Sequence, residues 1–288
     1  MIQEKTYKAY FFLIVVTLFW GVTFPLIRDA LPYVNASTFV FARFVLASLL
    51  FLPIILFRFR RPNKTLLAAS LVLAVLNSAV FLFQTIGLET ITAPRSAFIT
   101  GSSVLIVPFL LPLLKLGRPR FLDILSALIC LLGLYVLTGA NIHGLSRGDF
   151  WTLACAACYA FAVIFVQWIT PKLKSYSQIT FYQILLGVPI MGLAASGESF
   201  HGLLHYQVAG ALIFCALFAT VIAFYLQMKY QQHIPAPKAA LIYTLEPVFA
   251  SLFAYLINND HITQQTLLGG AIILMSLLMP LLPKVFRG

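Results

Sequence analysis

Glu246 and Arg43 are the two ionisable side chains that stand well inside long apolar runs of the chain. Placing such a group at the centre of a spanning helix costs roughly 2.5–3.5 kcal/mol on insertion scales, so each marks a candidate site. A desolvated Glu246 can bind a cationic group or exchange a proton, or it can serve as a structural carboxylate beside the helix break that Pro247 imposes. Arg43 can grip a carboxylate or phosphate through two parallel N–H bonds, or it can act as an internal counter-ion or a side chain reaching outward to the interface. Neutral polar residues fall at related positions. Asn77 and Gln84 are two helical turns apart on one face, and Gln84 has a counterpart in Gln227. Thr100 and Ser103 lie one turn apart, as Tyr243 and Glu246 do in the second half. Two polar pairs at one depth suit a cavity between the halves, and they equally suit hydrogen bonds between helices. Trp20, Tyr159 and Gln167 are candidates for the same space.

Other chemistries find little support. Cys155 and Cys158 form a C-x-x-C, but both lie in an apolar run with no second ligand pair, so they read as helix-packing residues. The histidines His143, His201, His205, His233 and His261 all fall in expected loops. His201 and His205 share a helical face without a third ligand, so no metal and no cofactor is expected. No P-loop is present, which excludes direct use of ATP by that motif. Hydrolytic or redox catalysis would need a cluster the sequence does not show, so the chain is not expected to be an enzyme.

The elements that must carry these residues follow from composition. The 288 residues are 61% hydrophobic and only 9% charged, with a mean hydropathy of +0.97. A soluble domain carries about 25% charged residues, so the bilayer is the solvent for most of this chain. Unbroken apolar runs of about 20 residues fit spanning helices and do not fit the short alternation of barrel strands. Ten spans are expected, near 8–28, 36–57, 66–87, 93–114, 121–139, 149–170, 178–196, 207–228, 237–257 and 265–283. The first run lacks a small-x-small cleavage site and reads as the first spanning helix. The net charge of +11 is dispersed among loops and reflects topology, not nucleic-acid binding. With the N-terminus inside, Lys5, Lys8, Arg58, Arg60, Arg61, Lys64, Lys115, Arg118, Arg120, Lys172, Lys174, Lys229, Lys238, Lys284 and Arg287 all fall on the cytoplasmic side. Only Arg28, Arg95 and Arg147 fall outside. Both termini are therefore expected in the cytoplasm.

A repeat orders the helices. AVFLFQTIGLETITAPRSAFI begins at Ala79 and IAFYLQMKYQQHIPAPKAALI at Ile222. Without a gap they match Phe81 with Phe224, Gln84 with Gln227, Pro94 with Pro237, Ala97 with Ala240 and Arg95 with Lys238. Trp20-Gly21 corresponds to Tyr159-Ala160, and Ser126 and Gly133 to Gly269 and Ser276. Five helices per copy is an odd number, so the second copy is inverted. The expected fold is an all-α integral membrane protein of two inverted five-helix repeats, 1–140 and 141–288. Such repeats place a substrate site near the midplane where the halves meet. Interruptions of the fourth and ninth helices are expected at Gly101, Pro108, Pro112 and Pro247.

The motifs Phe19-Trp20-Gly21-Val22-Thr23-Phe24, Ala42-Arg43-Phe44, the run from Leu245 through Glu246-Pro247 to Ala254, and the run from Leu268 to Leu274 resemble the drug/metabolite transporter superfamily, and within it the EamA-domain permeases. The resemblance spans the chain as two EamA-like repeats. The first repeat departs from the second where Ser103-Val104 stands for Glu246-Pro247. The resemblance implies a multi-pass permease of the plasma (bacterial inner) membrane, carrying an amino acid, another small metabolite or a drug by alternating access. The expected partners are the small-molecule substrate, membrane lipid, and a proton or sodium ion; the expected assembly is a monomer or homodimer, with no nucleic acid. A lipid flippase or channel-like protein of the same fold is the alternative.

Overall fold

The computed structural model describes residues 2–57, 61–138, 146–173, 175–258 and 261–279. Every regular element among them is a helix: α1 Ile2–Ala30, α2 Ala36–Phe57, α3 Lys64–Leu88, α4 Ala93–Gly101, α5 Ser103–Leu113, α6 Phe121–Thr138, α7 Arg147–Ile169, α8 Tyr176–Ala194, α9 Tyr206–Ala216, α10 Ala223–Tyr230, α11 Ala236–Tyr243, α12 Glu246–Asn258 and α13 Gln264–Leu278. Nine stretches among the described residues are long and apolar enough to span a bilayer, and α13 is a shorter apolar helix at the tenth expected position. The expected repeat boundary, His143, Arg58, Arg60, Lys174, Lys284 and Arg287 lie outside the described residues.

Polar side chains start the helices where the apolar runs begin. Asn63 Oδ1 accepts from Leu66 N at 2.8 Å, Ser146 and Asp149 form a reciprocal capping box on α7, and Ser175 Oγ accepts from Gln178 N. Each relieves a backbone N–H that the first turn leaves without a partner.

The helices interlock as two related sets. In the first half α3 and α4–α5 pack on α7; in the second, α9–α10 and α11–α12 pack on α1. The last helices of the two repeats, α6 and α13, pack on each other. With no hydrophobic force between helices in lipid, close van der Waals fit decides such contacts. A Cβ at Gly133 would lie 3.0 Å from Gly269 O and 2.9 Å from Ile273 N, so only glycine permits this approach of α6 to α13.

Two expected spans are discontinuous. The fourth breaks at Ser102 between α4 and α5, and the ninth at Thr244–Leu245 between α11 and α12. Hydroxyls take up freed carbonyls at both breaks: Ser102 Oγ donates to Ile99 O at 2.6 Å, and Thr244 Oγ1 to Leu241 O at 2.6 Å. Pro247 accounts for the second break, since it disfavours helical backbone at Glu246 and removes one N–H. Pro108 and Pro112, expected as interruptions, instead lie within continuous α5. A further irregularity was not legible in the hydropathy: α9 and α10 are joined by a π-helical segment, Leu217–Ile222.

Candidate functional site

The breaks and the π segment surround one central cavity. Its polar lining comprises Trp20, Thr23, Arg43, Asn77, Gln84, Thr100, Tyr159, Gln227 and Glu246; Val80, Phe81, Ala162 and Phe224 complete the wall. Eight of the residues expected from sequence thus meet in one place. The open volume is about 30 Å³, room for roughly two water molecules. The site is contracted, and a larger guest requires the helices around it to part.

Arg43 is held tightly. Its Nε donates to Thr220 Oγ1 at 2.7 Å and its Nη2 to Ala219 O at 3.2 Å. Trp20 Nε1 donates to the same Ala219 carbonyl at 3.0 Å. Both acceptors belong to the π segment, where the altered hydrogen-bond ladder releases main-chain oxygens to side chains. The guanidinium lies 3.8 Å over the Phe81 ring, and Phe81 stacks on its repeat partner Phe224 at 5.7 Å with planes 7° apart. Matched residues of the two repeats therefore meet beneath the cation. Five N–H donors on Arg43 exceed the two acceptors named, which leaves capacity for a guest.

Glu246 is held differently. It opens the first turn of α12, where the helix dipole favours an anion. Gly21 brings α1 against this turn: a Cβ there would sit 2.5 Å from Phe249 Cβ and 3.0 Å from Glu246 O. Trp20-Gly21 and Glu246-Pro247 are thus one structural unit. The Glu246 side chain is 8% exposed and Arg43 2%. Among the described residues the Glu246 carboxylate forms neither a hydrogen bond nor a salt bridge, although Arg43 lines the same cavity. Thr100 Oγ1 and the Tyr159 hydroxyl are also buried there without a hydrogen-bond partner among the described residues. Buried polar groups are nearly always satisfied, so these two hydroxyls beside an unbonded carboxylate point to a ligand or water that supplies the missing bonds.

Three expected residues stand off the cavity. Tyr243 lies behind it, its ring 5.3 Å from Trp20 and 5.9 Å from Tyr159. Its hydroxyl donates to Gln231 Oε1 at 2.9 Å, which also accepts from Gln227 Nε2 at 3.1 Å. Ser103 is buried in the first turn of α5, one residue past the break. Gln167 does not face the centre, because its Oε1 accepts from Ala236 N at 2.6 Å and so caps α11. Asn77 lines the cavity while donating to Gln183 Oε1 at 3.0 Å. Sequence reading missed Thr23, Gln183 and Thr220. Thr23 alone carried a signal, one turn beyond Trp20 in the same motif.

No three His, Cys, Asp or Glu side chains gather as a metal site among the described residues. His205 stacks on Tyr33 at 3.7 Å, and the cysteines are free, with Cys155 buried.

The repeat read from the sequence agrees with comparison to known proteins: the EamA-like transporter family matches residues 7–139 and 146–282. The chain belongs to the EamA-like transporter family. An uncharacterized transporter of Archaeoglobus fulgidus is 28% identical over 271 residues, covering 92% of this chain and 83% of the relative. A chloroplastic WAT1-related protein of Arabidopsis thaliana is 24% identical, covering 98% and 71%. The uncharacterized inner membrane transporter YicL of Salmonella typhimurium is 26% identical, covering 76% and 73%. One crystal structure superposes with a TM-score of 0.78 over 97% of this chain and 99% of its own, at 16% identity, and so shares the fold. This EamA-like protein is a multi-pass membrane transporter. Its family and relatives point to transport rather than catalysis.

Proposed function

We propose that the protein is a secondary transporter of a small zwitterionic metabolite, an amino acid or close relative, working by alternating access across the plasma membrane. The observation that carries this reading is the pairing of unlike charges in one cavity without a salt bridge between them. Arg43 is anchored by the π segment and Phe81, while the Glu246 carboxylate feels the Arg43 charge only at a distance, with no hydrogen bond or salt bridge among the described residues. A zwitterion supplies both missing counter-charges at once: its carboxylate meets the spare Arg43 donors and its ammonium meets Glu246. The hydroxyls of Thr100 and Tyr159 complete the polar contacts. In the empty, contracted state the site disfavours an uncharged guest, because either charge would remain unmatched. Rocking of one repeat against the other then exposes the loaded site to each side in turn. The driving force is a proton or sodium gradient, and Glu246 is the group that would exchange a proton when the ammonium leaves.

Reconstituted vesicles test this. Wild-type protein should show saturable counterflow of a labelled amino acid. Glu246→Gln should abolish uptake driven by a pH gradient while leaving exchange measurable, and Arg43→Gln should lower transport at least a hundredfold. Scrambling of labelled lipid without solute counterflow would instead establish a flippase, and unchanged pH dependence in Glu246→Gln would remove the coupling role.

A further inference from the structure

The two repeats differ on their lipid-facing flanks as well as at the centre. In the first repeat a groove of about 690 Å³ runs between Leu71 and Val75 of α3, Leu114 and Leu116 at the end of α5, and Phe161 and Trp168 of α7. The gapless register that aligns Ala79 with Ile222 places Phe214 opposite Leu71 and Phe218 opposite Val75. The register that aligns Trp20 with Tyr159 places Phe19 opposite Cys158. Those phenylalanines pack together, Phe214 and Phe218 at 5.1 Å and Phe19 6.5 Å from the first and 5.4 Å from the second, but the π-helical segment Leu217–Ile222 breaks that register and Cys158 does not line the groove.

Charge stands at one end of the groove. Lys172 Nζ lies 3.3 Å over the ring of Trp168, one of the lining residues. Lys115 lies between Leu114 and Leu116 and adopts a left-handed backbone at φ 56°. The turn there is a helix-ending motif, with Leu116 N donating to Leu111 O at 2.9 Å and Lys115 N to Pro112 O at 3.1 Å. Glycine is the usual residue in that conformation. A cation is present instead, between two side chains that enter the groove. Both lysines belong to the end of the molecule that the charge distribution assigns to the cytoplasm, where the leaflet is anionic.

We infer that this groove seats an acyl chain of an anionic phospholipid of the inner leaflet, whose head group is held by Lys172 and Lys115. The apolar walls select a chain and the two ammonium groups select the head-group charge. This inference does not depend on which solute crosses the centre.

Native mass spectrometry of the full-length protein provides the test, using micelles containing equal amounts of dioleoyl phosphatidylglycerol and dioleoyl phosphatidylcholine. The wild type should retain one phosphatidylglycerol in preference to phosphatidylcholine. Lys115→Gln and Lys172→Gln should each lower that retention about fivefold and leave phosphatidylcholine unaffected. Leu71→Phe with Val75→Phe, which adds two rings to the groove wall, should lower retention of both lipids at least tenfold. Its unfolding midpoint in lipid-free detergent should match the wild type, which separates a filled groove from a damaged fold. Equal retention of the two lipids by the wild type would overturn the inference, as would undiminished phosphatidylglycerol retention in the lysine variants. A second copy cross-linking through Val75→Cys would overturn it as well, by showing that protein covers the groove.

Discussion

Arg95 and Lys238 occupy the same step of the two repeats, each following the same Ala-Pro pair, yet their surroundings differ sharply. Arg95 donates from Nε to Asp149 Oδ1 at 2.6 Å and from Nη2 to Asp149 Oδ2 at 2.8 Å. The carboxylate is 1% exposed and also accepts from Ser146 N at 2.6 Å. The same end is tied by Glu89 Oε1, which accepts from Ala36 N at 3.4 Å, and by Asn35 donating to Glu198. Lys238 borders a cavity of about 310 Å³ with Tyr10, Arg118, Arg120 and His233. The register that aligns Trp20 with Tyr159 aligns Tyr10 with Asp149. One repeat thus sets a carboxylate facing its cation, and the other sets a phenol there. The matched step therefore carries an ion pair across α4 and α7 at one end, while at the other Lys238 shares its cavity with Asp123. Under alternating access this is a state closed at the Arg95 end and hollowed at the Lys238 end.

The sharpest way to break that contrast is Asp149→Asn. It removes the partner of a bidentate, largely buried ion pair, which should cost about 3 kcal/mol. Chemical unfolding reads the loss. Labelling reads its location: in a background with the four native cysteines replaced, Ser96→Cys should react slowly, because Ser96 is fully buried. Adding Asp149→Asn should speed that reaction at least tenfold. A loss below about 1 kcal/mol with Ser96→Cys still protected would show that helix packing, not the ion pair, closes this end.

The contrast between the ends was only half legible in the sequence. Hydropathy located the spans because a bilayer imposes one length on every helix, and the repeat was visible because Gln84, Pro94 and Ala97 recur in register. Glu246 and Arg43 stood out because charge in an apolar run is expensive. Asp149 gave no such signal, since an acidic residue three positions after Ser146 reads as an ordinary helix start. Thr220 and Ala219 became ligands of Arg43 through a π turn, which leaves no periodic trace. Gln167 looked like a site residue because it is polar in an apolar helix. Its partner, Ala236 N, is named only once α7 and α11 of the second repeat pack together.

Gln167 also offers a subtler comparison between the halves. The first-repeat helix α4 is capped by its own Thr92, whose Oγ1 accepts from Arg95 N at a long 3.4 Å near the surface. Pro235 stands at the matching position and has no side chain to cap α11. Gln167 of α7 reaches across instead, at 2.6 Å, to a fully buried residue. Gln167→Ala should therefore cost about 2 kcal/mol, the penalty of a buried N–H left without a partner. Thr92→Ala should cost about 0.5 kcal/mol, the low end for a solvent-accessible cap. Unfolding curves that rank the two in the opposite order would remove the borrowed cap from the account of how α7 and α11 are joined.

The smallest effect comes from making the hollow end resemble the latched one. Tyr10→Asp restores the carboxylate that the second register predicts opposite Lys238, at a site open to water. Exposed pairs contribute little, so the gain in stability should be about 0.5 kcal/mol or less, and nearby Asp123 in the same cavity works against it. The informative readout is the rate at which Pro235→Cys, at an exposed position in the wall of that cavity, reacts with a water-soluble reagent. If the facing side chain decides which end closes, Tyr10→Asp should slow the reaction about threefold at low salt. The slowing should disappear near 1 M salt, where screening shortens to about 3 Å. A slowing that persists in salt would trace to the lost tyrosine ring rather than to charge. No slowing at either salt concentration would mean that the difference between the ends is built into the helix packing, and that the Arg95–Asp149 pair only reinforces it.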